Sequence, residues 1–290
     1  MTPGGGSEQF ADLLRAGSAY DPARPFLTYY DDATGERAEL SWTTTANWVA
    51  KTANLLRDGL AVQPGDRVAL LLPAHWQTAA LLLASAAVGA VATLRDPDTD
   101  RAAALSAATG AEVVVARADL LPAVVADCSG EVVGLALAPM GGRIAELPAG
   151  ALDYAVEVPA YGDVFSAAGP TEATAAALDV DGTLVSSAKV ARTARAAADR
   201  WSLGPTDRVL STLGWNNWLG LHAGLLAPLA AGAGTVLCRG SSPDRLASRI
   251  QAERVSAVAG MAQPPGSGVR RLDGYLPPKP RRRASDALSG

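Results

Sequence analysis

Two carboxylates two residues apart, Asp179 and Asp181, precede Gly182 and Thr183 in the run Leu178-Asp-Val-Asp-Gly-Thr-Leu-Val. On an extended chain residues i and i+2 project to one side, so this spacing can aim both carboxylates at one point. Such a pair can divide a phosphoryl transfer between an attacking carboxylate and a general acid or base beside Mg²⁺. The competing local reading is a plain Asp-Gly turn between strands. A second segment, Gly214-Trp215-Asn216-Asn217-Trp218-Leu219-Gly220, sets two amides between two indoles. It can line a ligand pocket, although indoles at a strand-to-helix junction also serve as core packing. His75 and His222 are the only histidines, which excludes a multi-histidine metal site within one chain, and each is expected to cap or border a helix. No catalytic residue and no metal ligand is assigned.

The elements that must position these residues come from a repeat. Residues 60–116 are echoed at 203–260: an Asp-Arg-Val triplet (66–68, 207–209) opens a short apolar run, an Ala/Leu-rich helical stretch follows, and a Gly-Ala pair closes it. Arg67 to Leu72 and Arg208 to Leu213 are too brief for helices and read as buried parallel strands. Gln77 to Val88 and Leu219 to Ala231 are apolar all round, as expected of helices packed between layers. Gly89 and Gly232 stand where a left-handed C-terminal cap is expected. The fold class predicted is therefore α/β, with two related doubly wound lobes and parallel sheets. The expected boundaries are a flexible start over 1–7, a first lobe over 8–140, a Gly/Pro/Ala-rich linker over 141–170 and a second lobe over 171–262. A disordered Pro/Arg-rich tail over 263–290 is expected to contribute almost nothing to stability. Within the first lobe, Phe26 to Tyr30 and Ala38 to Trp42 read as a hairpin, followed by an amphipathic helix over 43–57.

Composition sets the class of partner. A hydrophobic share of 49% can build a substantial core, and a net charge of −4 offers no general field for nucleic acid. No apolar run reaches the roughly 18 residues that span a bilayer, and the start lacks the basic and apolar regions of a signal peptide. A cytoplasmic protein without membrane partners is expected, with Cys128 and Cys238 as ordinary reduced thiols. The Arg-for-Lys, Ala-rich bias looks like a GC-rich bacterial coding style.

Phe10-Ala-Asp-Leu-Leu, Asp21-Pro-Ala-Arg-Pro-Phe-Leu, Leu40-Ser-Trp-Thr, Val62-Gln-Pro-Gly-Asp-Arg-Val-Ala-Leu-Leu-Leu-Pro and Gly89-Ala-Val-Ala-Thr-Leu-Arg-Asp-Pro resemble the opening of the adenylate-forming superfamily, which includes acyl-CoA synthetases and adenylation domains. Thr206-Asp-Arg-Val-Leu-Ser-Thr-Leu, Gly224-Leu-Leu-Ala-Pro-Leu-Ala-Ala-Gly-Ala and Ala252-Glu-Arg-Val-Ser-Ala-Val-Ala-Gly resemble its middle, so the likeness covers residues 8–262. The resemblance implies a large domain of two related α/β lobes. It also implies an activity, AMP-forming activation of a carboxylic acid with ATP and transfer of the acyl group to a thiol.

The resemblance also says which residues should carry that activity. The family's phosphate loop is rich in Ser, Thr and Gly and ends in Lys-Gly, so that backbone amides approach the phosphates. Alignment on Gly182-Thr-Leu-Val-Ser-Ser puts 173–181 at the loop, with Ala175 and Leu178 for glycines and Asp181 for the lysine. Thr174, Asp179, Asp181, Gly182 and Thr183 are thus expected to form a degenerate phosphate loop, its two carboxylates facing a triphosphate. Trp215, Asn216, Asn217 and Trp218 are the ligand-cleft candidates, Asn217 standing near the family's histidine. The sequence ends before the family's later motifs and small C-terminal domain, as expected of a truncated, degenerate adenylation domain. The function expected is a non-catalytic pseudoenzyme or accessory module that holds an acyl or nucleotide-like small molecule, or a protein partner, without a cofactor. Two alternatives stand beside it. One is an acid-thiol ligase completed by another chain, which would use ATP and Mg²⁺. The other is a Mg²⁺-dependent phosphatase built on Asp179, because the Asp-x-Asp-Gly-Thr run resembles the first motif of the haloacid-dehalogenase superfamily.

Overall fold

Strand and helix alternate along the chain as the apolar runs predict. The computed structural model describes residues 8–167, 169, 172–261 and 268–274. Their strands are β1 (Pro25–Asp31), β2 (Glu36–Ser41), β3 (Arg67–Leu71), β4 (Val91–Arg95), β5 (Val113–Arg117), β6 (Glu131–Leu135), β7 (Ala151–Asp153), β8 (Ala176–Val180), β9 (Thr183–Ser186), β10 (Arg208–Ser211), β11 (Gly234–Arg239), β12 (Ala257–Ala259) and β13 (Arg270–Arg271). They form two sheets, ordered β7-β6-β5-β3-β4-β8-β9 and β13-β12-β10-β11-β1-β2. Pairing is parallel except within the hairpins β1-β2 and β8-β9. The α/β class expected from the sequence is the class observed.

Period-two burial explains why these runs are strands. In β3, Val68 and Leu70 face one core cluster, while Ala69 and Leu71 face another that includes Ala104, Ala108 and Val124. The first cluster takes residues from both sheets, including Tyr29 and Leu237 of the second, and the helix Trp76–Val88. That helix is buried almost all round and ends on Gly89 at φ 80°, with Gly232 at φ 67° closing the equivalent helix of the second repeat. Both glycines sit in the left-handed region where a side chain would strain the cap.

The repeat is longer than the sequence echo, and its parts are exchanged. Each copy runs hairpin, helix, strand, helix, strand, helix, strand: β1-β2 leads through the helix Trp42–Asn54 to β3, and β8-β9 through the helix Ser187–Arg200 to β10. Yet β1 pairs with β11, and β8 pairs with β4. Each hairpin therefore extends the sheet of the other copy and covers what would be an open edge. This corrects the expected split into lobes over 8–140 and 171–262, because alternation fixes strands without fixing distant partners.

Two further boundaries change. Residues 141–170 are more than a linker: β7 pairs with β6, and the buried Tyr154 hydroxyl lies 2.6 Å from Thr52 Oγ1. Asn54 Nδ2 donates to the carbonyls of Gly162 and Val164 at 2.9 and 3.0 Å, so side chains hold an irregular segment against the helix. The expected tail also starts too early. β13 pairs with β12, Leu272 is 3% exposed, and Trp201 Nε1 donates to the Asp273 carbonyl at 3.3 Å. The remainder of 263–290, and residues 1–7, where a flexible start was expected, lie outside the described residues. Among those described, no helix is long and apolar enough to cross a membrane.

Candidate functional site

Parallel strands bring their carboxyl ends to one side, and in α/β sheets that side takes ligands. Here a cavity of about 230 Å³ opens between the sheets at the ends of β4, β10 and β11, with Asp96, Asp98, Ser211, Asn216 and Arg239 in its wall. A larger cavity of about 380 Å³ lies beside Val62, Ala87, Val88 and Phe165, and of the segment expected as the phosphate loop it takes in Ala175 alone. The smaller one has the convergent polar groups, and it is the candidate site.

Its charges are unevenly paired. Arg239 bonds Asp98 and lies 3.7 Å from Asp31, and Asp98 is also bound by Arg117 at 2.7 Å. Asp96 accepts the Asp98 amide through Oδ1 at 2.9 Å, and among the described residues no cation lies within 4 Å of it. Burial pushes its carboxyl above the usual range. Behind the cavity His75 caps the helix Trp76–Val88, its Nδ1 accepting the Gln77 amide at 3.1 Å, so that Nε2 carries the proton facing Glu36 at 3.3 Å. Trp76 Nε1 donates to the other Glu36 oxygen at 3.0 Å. A carboxylate from β2 of one sheet is thus pinned by a helix packed on the other.

Both histidines are buried, and burial pushes the pKa of each down despite Glu36 beside His75, that of His222 to about 4. As pH falls through the unfolded value near 6.5, the unfolded chain takes up protons that the folded chain refuses. Stability is therefore expected to decline between pH 7 and 5, with about 2 kcal/mol of the loss due to His222. Chemical denaturation at both pH values should show this slope, and His222→Asn should remove most of that share.

The expected phosphate-loop residues are not brought together. Thr174 sits in an exposed turn before β8, at the opposite end of that strand from Asp181 and Gly182. Val180 pairs directly with Thr183, leaving Asp181-Gly182 as a two-residue turn with φ of 52° and 81°, as a type I′ hairpin requires. Asp179 is held by Arg95 Nη2 at 3.1 and 3.2 Å. The chain is not extended through Asp181, so the two carboxylates do not share a side, contrary to both the loop and the phosphatase expectations. Asp179→Asn should cost about 1–2 kcal/mol by leaving the half-buried Arg95 without its carboxylate. Neither that variant nor the parent should hydrolyse a generic phosphate ester with Mg²⁺; robust Asp179-dependent turnover would contradict this geometry.

Of the four cleft candidates, only Asn216 lines the cavity. Trp215 and Trp218 pack in the core at 1% and 7% exposure. Asn217 caps the following helix, Oδ1 accepting the Gly220 amide at 2.9 Å. Asp96, Asp98 and Arg239 were not singled out from the sequence. The available signal was positional, since each follows or ends an apolar run that the repeat marks as a parallel strand.

The profile of the AMP-binding enzyme family matches residues 14–263. A protein of Mycobacterium tuberculosis, whose name gives a numbered family and no activity, is 44% identical over 246 residues, covering 85% of this chain and 94% of that protein. Solved structures sharing the fold include a Rhodopseudomonas palustris protein named as a long-chain-fatty-acid CoA ligase (TM-score 0.71, 23% identity, 88% of this chain and 64% of that one). They also include the anthranilate CoA ligase AuaEII with anthranoyl-AMP (0.71, 16%, 88% and 50%) and a Brucella canis acyl-CoA synthetase (0.69, 19%, 88% and 48%). This chain thus spans about half to two thirds of those ligases.

Proposed function

We propose, from the premise that this chain belongs to the AMP-binding enzyme family, that it holds a small molecule in the cleft between its sheets without forming an adenylate. The observation that carries this reading is the β8-β9 hairpin. Its partners run from Ala176–Ser186 to Val180–Thr183, so of the segment 173–181 aligned with the family's phosphate loop, 173–175 form a turn and the rest is strand running into a two-residue turn. Ladder pairing engages β8 on both sides and β9 on one, and among the described residues of 173–183 the backbone forms a strand and tight turns rather than an open nest of amides. The cleft wall argues the same way. Arg239 is engaged by Asp98 and Asp31, and Asp96 adds a further carboxylate that makes no ion pair within 4 Å among the described residues. A carboxylate-rich wall without a free cation does not fit the triphosphate of ATP.

The family membership and the fold of the solved ligases support a ligand cleft; a role as binding module, alone or with a protein partner, is the reading that remains when phosphate binding is removed. A cytoplasmic setting accords with it. Titration calorimetry tests it. ATP with Mg²⁺ should bind more weakly than about 1 mM, less than about 4 kcal/mol. Micromolar affinity would overturn the proposal.

A further inference from the structure

The charges around the inter-sheet cavity balance. Arg239, the one cation among the described wall residues, is bound by Asp98 and lies 3.7 Å from Asp31, and Asp98 is also held by Arg117 at 2.7 Å. An anion finds no open cation there and meets Asp96 and Asp98, while a cation meets Arg239 and Arg117 beside those carboxylates. The balance suits a neutral ligand. Hydrogen-bonding capacity, by contrast, is left over in both senses. Asp96 takes the Asp98 amide on Oδ1 at 2.9 Å, and its Oδ2 accepts no hydrogen bond among the described residues. Ser211, 1% exposed and also in the wall, accepts the Leu213 amide at 3.2 Å, and its hydroxyl proton has no acceptor among the described residues. Asn216 Oδ1 accepts from Asn217 Nδ2 at 3.3 Å, and the Nδ2 of Asn216 donates to none of them. An unspent acceptor thus follows β4 of one sheet, and unspent donors stand at and beyond the end of β10 of the other.

We propose that the cleft takes a neutral polyol the size of one sugar ring, its hydroxyls shared between Asp96, Ser211 and Asn216. The inference rests on the cleft being a ligand site and names the class of ligand. A hydroxyl both donates and accepts, so neighbouring hydroxyls on one small frame serve the Asp96 carboxylate and the donors of Ser211 and Asn216 together. Donation to a carboxylate is the stronger kind of hydrogen bond, which makes Asp96 the principal contact. Pro73, Ala74, Leu213 and Leu237 supply apolar wall for the C–H faces of such a ligand. The cavity's volume of about 230 Å³ is the share of about seven waters at ~30 Å³ each, room for one ring.

The probes are glycerol, erythritol, D-ribose, D-glucose and myo-inositol, titrated into the full chain while amide shifts are followed by NMR. Cyclohexanol, cyclohexylamine and cyclohexanecarboxylate are the control rings, with one hydroxyl, a positive charge and a negative charge. At least one polyol is expected to move the signals of Asp96, Ser211 and Asn216 with a dissociation constant below about 50 mM, and each control ring should bind at least about tenfold more weakly than that polyol. Asp96→Asn should weaken the polyol at least about fivefold, and Ser211→Ala about threefold, with melting temperatures unchanged. Asn216→Ala, at a half-buried position, repeats the test should either variant fail to fold. No polyol binding at these residues below about 50 mM, a control ring that binds as tightly as the best polyol, or indifference to the substitutions overturns the proposal. Those outcomes leave the non-adenylating reading to its own ATP titration, which none of these ligands enters.

Discussion

Cutting the chain after Met261 should lower the melting temperature by roughly 6–12 °C, for a loss of about 3–4 kcal/mol in a chain of this size. The cut removes β13 and with it Leu272, 3% exposed in a cluster with Trp201, Val209 and Ala257. Burial of a leucine stabilises by about 1.5–3 kcal/mol. It also removes the acceptor of Trp201 Nε1 and the Arg270 guanidinium that bonds Asp207 and the carbonyls of Trp201 and Ser202. Losing these hydrogen bonds adds about 1 kcal/mol or more. Calorimetry on the truncated and full chains measures the difference, and Leu272→Ala in the full chain should reproduce about 2–3 kcal/mol of it. A melting temperature unchanged within about 1 °C would mean that β13 adds nothing to the second sheet.

The α/β class, the paired units and the two glycine caps were legible because each rests on local signals: short apolar runs, all-apolar helices, and glycine after the last helical residue. The exchange of hairpins was not. Leu27 and Leu178 sit in ordinary apolar runs, and nothing near them says that one pairs toward Thr235 and the other toward Ala92. β13 escaped notice because it is two arginines, and only the flanking Val269 and Leu272 reach the core. At the site, residue types misled more than spacing did. Trp215 and Trp218 read as pocket walls, yet their area is worth more in the core. Asn217 stood where a ligand contact was expected and is spent as a helix cap. Asp179 and Asp181 have the i, i+2 spacing of a catalytic pair, but Gly182 turns the chain at once, and the Asp-Gly turn wins over the extended path. Asp96 was hidden for the opposite reason: its place in the cavity wall comes from the assembly of the two sheets, which no local signal carries.

The reading of this protein as an AMP-binding fold that does not adenylate has a large expected consequence. Adenylation depends on holding an acid and the α-phosphate in line while charge builds on the phosphates. Positioning alone is worth about 7–11 kcal/mol in well-oriented reactions, and preorganised donors add several more. A two-residue turn in place of a loop of amides supplies neither. The most direct measurement is acid-dependent exchange of labelled pyrophosphate into ATP by the full chain with Mg²⁺, across short, long and aromatic carboxylic acids. No acid-dependent exchange above background is predicted for any of them. Exchange at about 1 s⁻¹ or faster with any one acid would contradict the account.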